Sequence, residues 1–299
     1  MTTRKRAAGW NRKTQANNPM PYTTLVSTAQ LAEHIDDPHW VLFDCRHDLA
    51  NPDSGTKEYA GGHIPGAQFL HVDRDLAAPV TGKNGRHPLP DAQVFMRTLG
   101  NAGVDAGKQI VAYDGQTGVY AARLWWMLRW LGHENVAVLD GGYGKWSGEQ
   151  RPLTAALPQV APLRFPGEPR KTWIDADEVL RSLGRPGRII VDARSADRYR
   201  GENETLDPVG GRIPGALNRF FKDNLDASGC FKPAAELRRA FTALLGEAPP
   251  ASVVHSCGSG VSACHNLLAM EIAGLCGSLL YPGSWSEWCS DAARPIARG

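Results

Sequence analysis

The sequence predicts an α/β protein made of two tandem copies of one domain, each a mainly parallel sheet flanked by helices. Three observations carry this: four blocks recur in the same order in both halves, short apolar runs alternate with helical patterns, and a proline-rich stretch lies between. VLFDCR (41–46) is matched by IIVDAR (189–194), and GGHIPGAQF (61–69) by GGRIPGALN (210–218). IVAYDGQTGVYAARLWW (110–126) is matched by SVVHSCGSGVSACHNLL (252–268), and VAVLDGGYGKW (136–146) by LLYPGSWSEW (279–288). The spacing holds along the chain, with Asp44 and Asp192 offset by 148 and Trp146 and Trp288 by 142. Similar blocks in one order mark a duplication.

Each copy opens on a helical pattern, TAQLAEHI near 28–35 and DADEVLRSL at 175–183, followed by a short apolar run ending in aspartate. The IPGA blocks have Pro-Gly turn chemistry ahead of a strand, so their default role is to shape the chain. SVVHS reads as a buried parallel strand and VSACHNLLAMEIAG as the helix after it. Tryptophans 125, 126, 130, 146, 285 and 288 read as core. Between the copies, residues 148–170 carry five prolines. Proline fixes φ and lacks an amide proton, which predicts an extended surface linker. The expected division is a disordered basic tail (1–20), a non-catalytic first domain (21–150), the linker (151–170) and a catalytic second domain (171–299).

The formal charge of +2 includes five cations and no acid in the first twenty residues, so the rest of the chain carries −3. That body lacks a basic face suited to nucleic acid. The N-terminal segment lacks the apolar core of a secretory signal, and no run approaches the ~18 apolar residues of a membrane span. A soluble, cytoplasmic monomer is expected. The six cysteines form no CxxC pair, so neither a zinc motif nor a disulfide framework is indicated, and free thiols in a reducing compartment are expected.

Cys257 stands where the apolar run ends and the next helix begins. Strand, tight glycine loop and helix aim backbone N–H groups and a helix N-terminus at one spot, which favours a thiolate. Gly258 and Gly260 are expected to keep the inward-facing amides clear of side chains. The alternative is a cysteine that is simply buried at a strand end. The first copy decides between them: its loop, Asp114 to Val119, is one residue longer and has an acid in the cysteine's place. One reactive and one retired site is the pattern expected. Cys264, inside the helix, reads as core.

The tandem IPGA repeats, the CGSGVSAC loop and the closing YPGSWSEW resemble the two-domain rhodanese (sulfurtransferase) family, over nearly all of residues 22 to 294. The resemblance implies tandem rhodanese-like α/β domains, the first inactive, and a catalytic cysteine at Cys257 that carries sulfur as a persulfide. Thiosulfate enzymes of the family have two cations after the cysteine; here those places hold Gly258 and Ser259. The loop Cys257, Gly258, Ser259, Gly260, Val261, Ser262 instead resembles the 3-mercaptopyruvate sulfurtransferases. Their relay of serine, histidine and aspartate falls on Ser259, His87 and Asp73. On the residues alone His87 is an ordinary loop histidine; the resemblance gives it this role.

The resemblance also implies a clamp of arginines for the substrate carboxylate. Arg198 matches one of them, and its planar fork suits a carboxylate. A second arginine has no counterpart in GENETLDPVGG (201–211), leaving Arg212, where the family motif has histidine, as a stand-in. The implied reaction moves sulfur from 3-mercaptopyruvate through Cys257 to a thiol, thioredoxin or cyanide and releases pyruvate. It needs no metal or organic cofactor, because sulfur itself does the covalent chemistry. Rival readings are a thiosulfate sulfurtransferase using the same cysteine and a non-catalytic persulfide carrier. A cysteine phosphatase would need an arginine six residues after the cysteine, where Ala263 stands.

The first twenty residues have little to bury and five like charges. Removing residues 1–19 is expected to leave turnover and melting temperature unchanged. A substantial loss of either would show that the segment docks on the body.

Overall fold

The computed structural model describes residues 21–115 and 117–299; the expected disordered tail lies outside the described residues. In the first half the strands are β1 (Leu25–Val26), β2 (Trp40–Asp44), β3 (Gln68–Phe69), β4 (Gln109–Tyr113) and β5 (Val136–Leu139). All pair in parallel, in the order β1-β5-β4-β2-β3. The second half has β6 (Ile189–Asp192), β7 (Leu217–Asn218), β8 (Val253–Ser256) and β9 (Leu279–Leu280), parallel in the order β7-β6-β8-β9. A single parallel bridge from Trp173 to Leu280 stands where the first sheet has β1. The two sheets therefore share one winding, as the repeat predicts.

The first half's helices are α1 (Thr28–Glu33), α2 (Ser54–Gly61), α3 (Ala92–Asn101), α4 (Val119–Trp130) and α5 (Gly142–Gly148). The second half's are α6 (Ala176–Ser182), α7 (Ala196–Arg200), α8 (Ala234–Leu245), α9 (Ser262–Ile272) and α10 (Ser284–Trp288). The opening helix of each copy is started by a capping box, Ser27 with Gln30 at α1 and Asp175 with Glu178 at α6. Each satisfies two amides that an uncapped helix end leaves without partners.

The aspartates that close β2 and β6 have a structural task. Asp44 forms a forked ion pair with Arg46, whose Nη2 also donates to Gly62 O at 2.8 Å. Asp192 and Arg194 repeat this, with Nη2 donating to Gly211 O at 2.7 Å. All four residues are buried. Each guanidinium lies over an aromatic ring, Tyr143 in one copy and Trp285 in the other. The pair ties the strand to the turn that precedes the IPGA block.

α4 and α9 are buried nearly all round and pack against each other. Their contact makes one apolar core continuous across both halves, from Phe43 and Trp125 to Leu237, Val253 and Leu268. The six tryptophans named from the sequence are all buried. Trp146 and Trp288 also hold the chain that follows them, their indole N–H groups donating to Pro152 O and Pro295 O. The proline-rich stretch is extended, as expected, yet it is anchored: Leu163, Glu168 and Arg170 donate backbone bonds to Gly100, Leu131 and Trp130. No helix among the described residues is long and apolar enough to cross a membrane.

Asp44→Ala would leave the Arg46 guanidinium buried without its counter-charge. The expected loss is about 3–5 kcal/mol of stability, read as a lower urea midpoint. A loss under about 1 kcal/mol would show that the pair does not hold the strand to the turn.

Candidate active site

β8 delivers Cys257, and α9 begins five residues later. The Cys257 Sγ accepts from the amides of Gly260 at 3.1 Å and Ser259 at 3.4 Å. The opening of α10 fixes the loop from behind: Ser284 Oγ accepts from Cys257 N at 3.0 Å, and the Trp285 and Ser286 amides donate to the carbonyls of Cys257 and Gly258. Ser284 holds φ at +53°, a conformation that non-glycine residues rarely adopt. Of the two loop glycines, Gly260 is required by its backbone, while Gly258 faces the movable end of an arginine. A Cβ on Gly260, which has φ +78°, would fall 2.2 Å from Pro282 O. One on Gly258 would fall 2.7 Å from Arg86 Nη2.

The equivalent loop of the first half is filled from within. Asp114 accepts from Gly118 N at 2.9 Å with Oδ1, and from Tyr120 N at 2.8 Å with Oδ2. A carboxylate of the chain itself thus occupies the amide cradle at the start of α4. In the second half a sulfur occupies that role.

Ser259, His87 and Asp73, far apart in sequence, meet beside the sulfur. His87 Nδ1 lies 2.7 Å from Ser259 Oγ, and His87 Nε2 lies 2.9 Å from Asp73 Oδ1. A carboxylate at Nε2 selects the tautomer with the proton on Nε2, leaving Nδ1 to accept from the serine hydroxyl. The hydrogen bond to His87 holds the Asp73 carboxyl below its ordinary range, against the opposing effect of burial. Since His87 and Asp73 belong to the first half and Ser259 to the second, the chain of bonds spans the interface.

A cleft of about 310 Å³ opens over the thiol, lined by Arg86, His87, Arg194, Arg198, Cys257, Gly258, Ser259, Val261 and Ser262 among others. Arg198 is held by Glu204, with Nε 3.1 Å from Oε2 and Nη2 2.8 Å from Oε1, and by Asp207 at 3.5 Å. Arg86, from the first half, pairs with the same Asp207 through Nη1. Arg86 Nη2 and Arg198 Nη1 have no hydrogen-bond partner among the described residues, and both lie against Gly258. The segment that lacks the second arginine therefore supplies two acids that anchor arginines from elsewhere. Sequence reading missed Arg86 although it adjoins His87, because nothing local to GRHPLP shows that it crosses to the other copy.

Arg212 is not among the cleft residues. Its backbone bridges Ala297, its Nη1 donates to Gly299 O at 2.5 Å, and its guanidinium covers the Tyr199 ring. It stands where His63 bridges Thr154 in the first half, so it fastens the chain that follows α10 and is not brought to the substrate side. Cys264 is core, as expected: burial pushes its thiol up to about 12, and its Sγ donates to Gly260 O at 3.3 Å. A further residue missed from sequence is Arg123 of α4, fully buried, which donates to Gly260 O, Leu76 O and His87 O.

Comparison with known proteins agrees with the duplication. The rhodanese-like domain model matches twice, at residues 27–149 and 175–291. A probable 3-mercaptopyruvate sulfurtransferase of Pseudomonas aeruginosa is 44% identical over 94% of this chain and 100% of its own. The thiosulfate sulfurtransferase of Bos taurus is 33% identical over 89% of this chain and 92% of its own. The solved 3-mercaptopyruvate sulfurtransferase of Leishmania major superposes with a TM-score of 0.81 at 30% identity, covering 92% of this chain and 76% of that one. With both halves matched and such similarity along its length, the chain belongs to the rhodanese-like domain family.

Proposed function

We propose that the protein is a sulfurtransferase that takes sulfur from 3-mercaptopyruvate, carries it as a Cys257 persulfide and passes it to a thiol acceptor. The observation that carries this is the bonded series Ser259–His87–Asp73 reaching the cysteine loop. The donor brings a thiol proton and leaves as a carbanion equivalent, so the reaction needs a proton moved. Thiosulfate brings no proton, and sulfite leaves without needing one.

In the first step the Cys257 thiolate attacks the donor sulfur. The S–S bond forms as the C–S bond breaks, and its electron pair passes to the methylene carbon as pyruvate enolate. The donor's thiol proton passes through Ser259 and His87 to that carbon, leaving pyruvate and an enzyme persulfide anion. Arg198 Nη1 and Arg86 Nη2 clamp the donor carboxylate from opposite copies, giving it the bidentate partner that the sequence lacks. The acceptor, a small thiol, thioredoxin or cyanide, then attacks the outer sulfur and restores the thiolate. No redox co-reactant is consumed. The free cysteines suit a reducing, cytoplasmic setting, and one chain contributes both faces of the cleft, so a monomer suffices. Residues 21–150 then act as the non-catalytic domain, joined by 151–170 to a catalytic domain at 171–299.

A second reading, thiosulfate as donor, is favoured by one observation: two guanidiniums beside Gly258 also suit a dianion. Steady-state kinetics with both donors and one acceptor separates them. The expected result is a higher kcat/KM for 3-mercaptopyruvate. Ser259→Ala and His87→Ala should cut that kcat by about 10²–10⁴ while sparing what thiosulfate turnover exists. A tenfold preference for thiosulfate in the unmodified protein would replace the first reading with the second.

Two variants test the roles of individual groups. Cys257→Ser should abolish transfer from either donor, and donor-treated protein should gain one sulfur on the Cys257 peptide by mass spectrometry. Sulfur on Cys264 or Cys45 instead would sink the assignment. Arg86→Ala should raise the KM for 3-mercaptopyruvate by tenfold or more, since a charge-assisted bond is worth roughly 1.5–3 kcal/mol; an unchanged KM would remove Arg86 from the clamp.

A further inference from the structure

At the Asp73 end of the relay, adjoining the cleft, a cavity of about 270 Å³ is lined by His47, Asp73, Arg86 and His87 among others. His47 follows β2, and its side chain is only 1% exposed. Among the described residues neither of its ring nitrogens has a hydrogen-bond partner, and Nε2 stands 3.9 Å from Asp73 Oδ2. Such an imidazole is costly to bury without a partner. One donor atom each of His47, Asp73 and His87 lies within 4.8 Å of the others. In a tetrahedral zinc centre, with bonds of ~2.0–2.1 Å, neighbouring donors stand about 3.3 Å apart. The His87–Asp73 separation is already 2.9 Å, so seating a cation requires His47 to approach by a small rotation and Asp73 to turn. Asp73 is partly exposed and free to turn, while its amide stays bonded to His71 Nδ1 at 3.1 Å. Arg86 also lines the cavity, but its charge is paired with Asp207.

We propose that His47, Asp73 and His87 form an inhibitory site for zinc. Two imidazoles and one carboxylate suit zinc over magnesium or calcium, which prefer all-oxygen sites. The site rests on the relay reading, because inhibition follows from what the cation does to His87. Zinc on Nε2 forces the ring's proton onto Nδ1, where it donates to Ser259 Oγ. The serine then loses its proton acceptor, and Asp73 turns from orienting His87 to holding the metal. The cysteine spacing carries no zinc motif; these ligands come from three loops that only the fold brings together.

The test uses the full chain with Cys257→Ser, which removes the competing thiolate. Equilibrium dialysis against zinc chloride followed by metal analysis should show one zinc per chain. Adding His47→Phe, which keeps a ring in the pocket, should weaken that binding at least tenfold. In the otherwise unmodified enzyme, His47→Phe should keep the basal turnover and need at least tenfold more zinc for half inhibition. An anomalous-scattering map of zinc-soaked wild-type crystals should place the metal among the three side chains, a readout independent of any variant's folding. Metal found at Cys257 or elsewhere, no binding to Cys257→Ser, or equal inhibition of His47→Phe would overturn the proposal. Should the relay reading fail instead, zinc would still bind Cys257→Ser, yet turnover would be insensitive to it and to His87→Ala.

Discussion

One buried guanidinium determines whether the two halves can share a site. Arg123 leaves α4 of the first copy and donates to three backbone carbonyls, one in the cysteine loop and two in the segments that carry Leu76 and His87. No carboxylate pairs with it among the described residues, and burial lowers its hold on its proton. Taking that charge out of water costs several kcal/mol and is offset only while all three acceptors stay in place. The constraint works both ways. The carbonyls fix the arginine, and the arginine fixes His87 relative to Ser259 to hydrogen-bond tolerance. The apolar contact of α4 with α9 brings the halves together, but apolar packing is non-directional; the guanidinium sets the register.

The duplicated cradle holds an acid in one copy and a thiol in the other. Both copies end a buried strand in a loop whose amides converge ahead of a helix. In the first copy Asp114 reaches those amides through its own side chain and satisfies them within the chain. In the second, sulfur is larger and its bonds to Ser259 and Gly260 are longer and weaker, so the same donors remain available to a developing negative charge. The extra residue in the first loop gives its carboxylate room to turn back. An acid in that position satisfies the cradle, whereas a thiol leaves it with work to do.

The sequence made the architecture legible because strand order, turns and the cysteine loop are local patterns, and duplication printed each of them twice. Cys257, Gly258, Gly260 and Ser259 were readable because four adjacent residues make the loop. His87 and Asp73 were readable only through resemblance, since their partner lies 172 residues from His87. Arg86 and Arg123 were invisible: an arginine's long stem lets its charge act on another loop or another domain, and no spacing rule records where it goes. The same freedom explains Arg212, whose guanidinium turned toward the chain end and the Tyr199 ring. Ser284 carries no sequence signal for its positive φ, which accompanies its bond from Cys257 N.

The placement of His87 and Asp73 on one copy and Cys257 on the other has a consequence for how the protein is made. Domains fold largely as units, the N-terminal one first during synthesis. The segments that carry His87, Asp73 and Arg86 are therefore made before Cys257, although Arg86 and Arg123 find Asp207 and Gly260 only in the second copy. Cys257 emerges later, beside a first copy already made, and is 1% exposed in the finished fold. A thiolate exposed on a half-built surface invites oxidation to acids that are not readily reversed. The order of the copies along the chain thus shortens the interval in which that sulfur is exposed without cover.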